Sequence, residues 1–154
     1  MPYIKQELRP SYDAIVNTMI AELVANQTAS DDLIKHLSSV LSAQQFEDID
    51  GCLNYFITKL FKSLSLHKKP EKNEIPCVPA IEDALLKLFR ELFPPKYFHF
   101  NRAGGVLLWC RKEFERRYGK TCCSTILTDL ADRLYENPIG PYEDRKIAEN
   151  GDVY

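Results

Sequence analysis

A cluster of charged side chains in residues 102–120 is the part of the sequence best suited to chemistry. This segment holds two carboxylates and six cations, an excess of four positive charges; the cations are Arg102, Arg111, Lys112, Arg116, Arg117 and Lys120. Guanidinium groups donate paired hydrogen bonds that match the oxygens of phosphates and carboxylates. The cluster therefore predicts a site for an anionic small molecule or an acidic partner.

Glu113 and Arg117 allow other interpretations of the same segment. At about 100° per residue both fall on the apolar face of a predicted helix. That face also carries Ala103, Val106, Leu107, Cys110 and Phe114. A glutamate four residues before an arginine favours an ion pair. Because unpaired charges on an apolar face are costly, the two residues form a structural bridge, lie where the helix leaves the core, or line a pocket or interface.

Aromatic and acidic residues elsewhere could complete such a site. The aromatic run at 97–100 could stack on a nucleobase. Residues 129–154 hold seven carboxylates against three cations, and we expect Tyr142 and its acidic neighbours to contact the Glu113 and Arg117 helix of the same or a neighbouring subunit. The predicted ligand-binding or contact residues are Tyr97, Asn101, Arg102, Arg111, Glu113, Arg116, Arg117, Tyr142, Glu143, Asp144 and Lys146. A second basic stretch, residues 59–72, is interpreted as solvated lysines.

Metal and cysteine chemistry have weaker support. Cys110, Cys122 and Cys123 could join His99 around zinc, but no two cysteines have C-x-x-C spacing, which favours small buried side chains. A nucleotide hydrolase would bind Mg²⁺ through converging carboxylates. The helical candidates for that role are Glu82, Asp83, Glu91, Glu113 and Glu115, whose spacing forms no recognised acidic cluster. We expect no metal and no cofactor.

Helices must position these residues, because apolar side chains recur at helical spacing and strict alternation is nearly absent. The six predicted helices begin near Ser11, Ser30, Asp50, Pro79, Asn101 and Thr121. Three prolines and many charges in residues 67–79 predict a surface loop. We expect an all-α protein: a compact bundle of five or six helices over residues 1–135, then an extended C-terminal arm at 136–154 with one helical turn near 143–149.

Composition narrows the class of protein. The 154 residues have the length of one domain, and 45% hydrophobic and 27% charged residues exclude collagen-like, low-complexity and wholly disordered chains. A net charge of -2 excludes a generally basic nucleic-acid binder. Five cysteines indicate a reducing compartment, and no apolar run reaches the ~20 residues of a membrane span. We expect a cytoplasmic protein with neither a membrane nor a specific nucleic acid as partner.

Four blocks of the sequence resemble a family of small uncharacterised phage and bacterial proteins, which begin MPYI and end PYED-x-KI-x-ENGDVY. The blocks are MPYIKQELRP, LNYFIT at 53–58, GVLLWCRKEFERR at 105–117 and PYEDRKIAENGDVY at 141–154. The family positions fall on Tyr3, Asn54, Tyr55, Gly105, Glu113, Phe114, Arg116, Arg117, Pro141, Tyr142, Glu143, Asp144, Lys146, Asn150, Gly151 and Asp152. In the family the RR pair leads almost directly into PYED, whereas residues 119–140 separate them here. The resemblance implies a short helical protein of phage or bacterial origin and no particular chemistry.

Three functional hypotheses follow. The first is a non-enzymatic helical protein that holds an anionic small molecule, such as a nucleotide; a phage-encoded protein could thereby sequester a nucleotide signal of host defence. The second is an oligomeric protein–protein interaction module without a small ligand, in which PYED and RR form the contact between subunits. The third is an all-α, metal-dependent nucleotide hydrolase. We expect a homo-oligomer.

Overall fold

The computed structural model describes residues 3–68 and 78–154, which form seven α-helices and contain no strand. The helices are α1 (Arg9–Asn26), α2 (Asp31–Ser42), α3 (Phe46–Ser63), α4 (Val78–Leu92), α5 (Tyr97–Tyr118), α6 (Cys122–Leu134) and α7 (Gly140–Asn150). The first six form a compact bundle, which confirms the predicted all-α fold. Most of the loop predicted at 67–79 lies outside the described residues. No helix within the described ranges is long and apolar enough to cross a membrane.

Helix α3 lies at the centre of the bundle. Its residues 52–57 are all buried, and it packs against α1, α2 and α5. Helix α4 packs against α2 and α6, and α6 packs against α5. The largest fully buried side chains are Tyr12, Phe56, Phe61 and Phe89. Because α1 and α5 both pack on α3, residues on the outer faces of these three helices come close together.

Several helix ends follow from local sequence, as predicted. The Ser30 hydroxyl caps α2 by accepting a hydrogen bond from the Leu33 N–H at 3.2 Å. Thr121 caps α6 in the same way. Gly119 ends α5 with a φ of 74°, a backbone conformation that favours glycine. Pro79 lies in the first turn of α4.

Two helices begin earlier than the sequence predicted. Helix α3 starts at Phe46 and not at Asp50, and two carboxylates in its first turn favour the earlier start through the helix dipole. Helix α5 starts at Tyr97 and not near Asn101. Phe100 is buried, and this tertiary burial offsets the modest helix propensity of the aromatic run.

The C-terminal arm is mainly helical: α7 has 11 residues where a single turn was predicted. The arm is attached to the bundle of its own chain. Ile139 packs against the core, and the Tyr142 ring meets Phe100 edge-on with 5.2 Å between ring centroids. The Arg90 guanidinium donates a hydrogen bond to the Asn137 carbonyl at 3.0 Å. These contacts position the arm beside the N-terminal end of α5.

Candidate functional site

A cleft of about 230 Å³ lies between the N-terminal segment, α3 and α5. We call it the basic cleft. The described residues that line it are Tyr3, Arg9, Tyr55, Thr58, Lys59, Lys62, Glu113, Phe114, Arg117 and Tyr118. Four of these side chains are cations, one is a carboxylate and three are tyrosines. The described lining therefore has an excess of three positive charges beside the exposed rings of Tyr3 and Tyr118.

Helix α3 supplies one wall of the basic cleft. Its residues there are Tyr55, Thr58, Lys59 and Lys62, whose spacing places them on one helical face. The Tyr55 hydroxyl donates a hydrogen bond to the Asp13 carboxylate at 2.7 Å, and the Arg9 guanidinium lies 5.8 Å from the centre of the Tyr55 ring. Burial and the bond to Asp13 raise the pKa of Tyr55 to about 12. Tyr55 is therefore a neutral hydrogen-bond donor at physiological pH.

Helix α5 supplies the opposite wall, where Glu113 binds two arginines. Arg116 donates from Nε and Nη2 at 3.0 and 2.8 Å, and Arg117 donates from Nε at 2.6 Å. The predicted pairing of Glu113 with Arg117 is confirmed. The side chain of Glu113 is 19% exposed, against 68% for Arg116 and 43% for Arg117, so the group lies where the helix leaves the core. Hydrogen bonds from Arg116, then Arg117, lower the pKa of Glu113 to about 2.

Tyr3 covers one end of the basic cleft. Its hydroxyl donates to Glu113 Oε1 at 3.3 Å and accepts from Arg117 Nη2, and the Arg117 guanidinium lies 5.9 Å from the centre of its ring. Arg9 donates two hydrogen bonds to the Ile4 carbonyl, at 3.3 and 3.2 Å, which hold the N-terminal segment against α1. Tyr3 itself is exposed. It is therefore a cover held by a few polar contacts at the surface.

His67 packs against Tyr118, which lines the cleft. Their ring centroids are 4.8 Å apart. Burial, followed by the positive charges of Lys62 and Lys68, lowers the pKa of His67. Burial of the imidazole is the main cause of this shift, and the two lysines add to it.

The other predicted site residues on α5 lie away from the basic cleft. Arg111 donates to the Thr128 hydroxyl of α6 at 3.2 Å, with Glu115 3.9 Å from its Nε. Arg102 pairs with Asp50 at 2.8 Å and lies over several phenylalanine rings. Asn101 and Tyr97 are exposed near Arg102. These residues thus occupy two further surfaces of the helix.

The predicted contact of Tyr142 with Glu113 and Arg117 is not made within the chain. Tyr142 packs on Phe100 at the opposite end of α5, because α7 lies beside that end. Lys146 pairs with Glu149 at 3.1 Å on α7 itself. Glu143 and Asp144 form no ion pair with any residue of 3–68 or 78–154. A contact of the arm between subunits stays a prediction.

The carboxylates proposed for metal chemistry do not converge. Glu82 and Asp83 both bind Arg133, at 3.2 and 2.8 Å, while Glu113 binds its two arginines. Within the part of the chain that the structure describes, no three His, Cys, Asp or Glu side chains are arranged to hold a metal ion. Cys52, Cys110 and Cys123 are buried and free, as predicted, and Cys122 is half-buried; Cys77 lies outside the described residues. Burial raises the pKa of Cys110 to about 12.

The predicted site residues omit eight of the residues that line the cleft: Tyr3, Arg9, Tyr55, Thr58, Lys59, Lys62, Phe114 and Tyr118. Tyr3 and Tyr55 were noted only as positions shared with a family. The lysines were interpreted as solvated surface, whereas both line the cleft. A signal was present, since residues 55, 58, 59 and 62 recur at helical spacing and carry polar groups, while their neighbours at 52–54, 56–57 and 60–61 are buried. Residue spacing alone does not show which other helix faces that row.

Comparison with known proteins places the chain in a family. Residues 1–99 match the model described as a domain of unknown function, DUF6899. The chain belongs to this family. The matched region contains Tyr3, Arg9 and the α3 wall of the basic cleft, whereas Glu113 and Arg117 lie beyond it. It also contains two of the four blocks quoted above, MPYIKQELRP and LNYFIT. No curated protein and no solved structure matches the chain.

Proposed function

We propose that this protein binds a small anionic molecule, a nucleotide in particular, in the basic cleft and does not transform it. One observation carries the proposal: the cleft combines four cations with three tyrosines, and its single carboxylate is already bound by two arginines. Cations attract phosphate oxygens, and guanidinium groups bind them with paired hydrogen bonds. Tyrosine rings offer a surface on which a nucleobase stacks.

The size of the cleft limits how the ligand binds. A volume of about 230 Å³ is below the roughly 300–1,000 Å³ of pockets that enclose a drug-sized ligand. A phosphate group fits between Lys59, Lys62 and Arg117, while a base lies towards the edge, against Tyr3 or Tyr118. Because Tyr3 is held only by surface contacts, its displacement would widen the cleft for a larger ligand.

Binding is favoured over hydrolysis by the state of the carboxylates. Hydrolysis of a nucleotide with a divalent metal needs carboxylates free to coordinate it near the phosphates. Glu113 is the carboxylate that lines the cleft, and it is occupied by Arg116 and Arg117. Its role is to orient the arginines and moderate their charge.

The biological role that fits such a protein is sequestration. If the chain is encoded by a phage, as its resemblance implies, the bound molecule would be a nucleotide signal of host defence, captured in the host cytoplasm. In this role the protein retains its ligand and has no need to transform it.

Isothermal titration calorimetry with a panel of linear and cyclic nucleotides tests the proposal. The Lys59→Gln/Lys62→Gln variant removes two cations from the basic cleft. The Lys112→Gln/Lys120→Gln variant removes the same charge from a different surface and is the matched control. We expect the first variant to weaken binding at least tenfold, about 1.4 kcal/mol, and the control less than threefold. Silent titrations across the panel, or equal losses in both variants, would contradict the proposal.

A second candidate function is self-association, and a different observation favours it. Large aromatic side chains are exposed on α5 and at the start of α3, outside the lining of the basic cleft. We propose a homo-oligomer. Ligand binding and self-association are compatible, because they use different residues.

A further inference from the structure

Two adjacent rows of side chains lie on the outer side of helix α5, and most of their members are exposed. The rows are Tyr97–Asn101–Gly104–Leu108 and Phe98–Arg102–Gly105–Trp109, each with the i, i+4, i+7, i+11 spacing of one helical stripe. Both rows have a large apolar residue at each end and a glycine between. Phe46 of α3 extends the surface, since its ring stacks on Phe98 with 5.7 Å between centroids and 12° between planes. We call Phe46, Tyr97, Phe98, Leu108 and Trp109 the aromatic face.

The aromatic face is as large as the largest apolar patch on a typical monomer, a kind of patch that is often functional. Its four aromatic side chains are 53–62% exposed. At 150–250 Å² per aromatic side chain, they leave roughly 300–600 Å² open to solvent, which is the size of patches that mark interaction sites. Two such faces together would bury roughly 600–1,200 Å² before Leu108 and the helix backbone are counted. That total reaches the ~1,000 Å² that a specific protein interface requires.

The two glycines at the middle of this face are not explained by packing within the chain. Glycine disfavours the interior of a helix relative to alanine. A Cβ atom at Gly104 or Gly105 would meet no atom of the described residues within 4 Å, and neither has a positive φ. Small residues allow a second helix to approach closely.

A buried amide also opens onto this surface. Asn54 is 2% exposed and lines a shallow depression with Gly105 and Trp109. Its carbonyl oxygen accepts a hydrogen bond from the Thr58 hydroxyl at 3.2 Å. The depression therefore offers a polar contact beside Gly105 and Trp109.

We propose that the aromatic face is the interface of a two-fold symmetric homodimer in which the α5 helices of two copies cross antiparallel near residue 103, next to the two glycines. With residue 103 near the axis, Tyr97 of one copy faces Trp109 of the other, and Phe98 faces Leu108. Asn101 of one copy faces the depression at Gly105 of the other copy. A two-fold interface must be self-complementary, and a row with apolar residues at both ends and glycine between satisfies this requirement.

The charges on this surface permit the contact. Arg102 lies close to the axis, but its side chain is 13% exposed and paired with Asp50 at 2.8 Å. The Arg102 guanidinium also lies 4.7 Å from the centre of the Phe46 ring. Two copies therefore meet with this arginine already neutralised.

Substitution of glycine separates dimer formation from folding. Gly105→Leu adds a side chain where the monomer has open space and removes a helix-disfavouring residue. We expect it to preserve or raise the thermal stability of the monomer and to block dimer formation. Trp109→Ser should also block it. Tyr135→Ser, which removes another aromatic side chain with 61% exposure, is the matched control.

Sedimentation equilibrium measures the mass of the full chain in solution. A concentration of about 50 µM lies above the micromolar Kd at the weak end for such interfaces. We expect twice the monomer mass for the unmodified chain and for Tyr135→Ser, and the monomer mass for Gly105→Leu and Trp109→Ser. A monomeric unmodified chain overturns the proposal. So does a dimer that persists in Gly105→Leu, or a higher oligomer that none of the variants dissociates.

Discussion

Replacing Glu113 by glutamine tests whether the Glu113 ion pairs stabilise the fold and limit the charge of the basic cleft. Glutamine keeps the shape and one oxygen acceptor of the side chain but removes its negative charge. Arg116 and Arg117 then lose their partner, and the lining of the cleft gains one net positive charge. We therefore expect Glu113→Gln to lower the stability of the protein and to raise its affinity for anions.

The magnitude follows from the pKa of Glu113. A fall from 4.5 to about 2 corresponds to roughly 3 kcal/mol if the charge interaction is fully expressed. The side chains of Arg116 and Arg117 are 68% and 43% exposed, so solvent screening reduces this to about 1 kcal/mol. For a domain of this size, about 1 kcal/mol lowers the Tm by roughly 2–4 °C. One added charge about 5 Å from a bound anion contributes ~0.8 kcal/mol in water, or about fourfold tighter binding.

The pH dependence has a definite sign. Because the pKa of Glu113 is lower in the folded state than in the unfolded state, its stabilisation is complete above pH 4.5 and is lost as the pH falls towards 2. Glu113→Gln lacks this contribution at every pH. The difference in Tm between the two proteins should be constant near neutral pH and should close between pH 4.5 and pH 2.

Differential scanning calorimetry from pH 2.5 to pH 8 measures this difference, and titration calorimetry measures the anion affinity. Glu115→Gln is the control. Glu115 lies 3.9 Å from the Arg111 Nε, which is a long ion-pair distance. This substitution should therefore change the Tm by less than about 2 °C. An unchanged Tm at pH 7, or a difference that persists undiminished at pH 2.5, would refute the stabilising role. A loss of anion affinity would refute the electrostatic account of the cleft.

Three further predictions concern other parts of the structure. Tyr55→Phe removes the hydrogen bond to Asp13 and should cost about 1–2 kcal/mol in thermal denaturation; since the pKa of Tyr55 is raised to about 12, its contribution should be complete below pH 10 and fall above it. Among the described cysteines, Cys122 should react first with a thiol reagent at pH 8, because the others are buried; mass spectrometry identifies the modified site. Truncation after Pro138 removes α7 and should lower stability by about 1 kcal/mol while the dimer persists; light scattering that showed loss of assembly would instead support a subunit contact through the arm.

The fold was largely predictable because helices are local structures. Each apolar stripe lies within one segment, and the ends at Ser30, Gly119 and Thr121 depend on side chains within a few residues. The earlier starts of α3 and α5 were not predictable in the same way. At these positions weak local signals compete, and burial of side chains such as Phe100 decides the boundary.

The site was predictable only where its contacts are local. Glu113 and Arg117 are four residues apart on one helix, so their pairing follows from helical geometry. Tyr3 and Arg117 are separated by 114 residues, and Asp13 and Tyr55 by 42. No spacing rule predicts contacts over such distances. The arm was expected beside Arg117, but Tyr142 reaches Phe100 instead, because α7 continues from α6 towards the other end of α5.

The sequence by itself determined the helices, their buried faces and the charge pairs within a turn of one another. Tertiary structure decided which outer faces adjoin, and so brought Lys59, Lys62 and Tyr3 to Arg117 in one cleft. It also left the Gly105 side of α5 uncovered. The physical reason is that apolar burial is non-directional: an apolar stripe establishes that a helix face is buried, whereas its partner depends on how all the helices pack together.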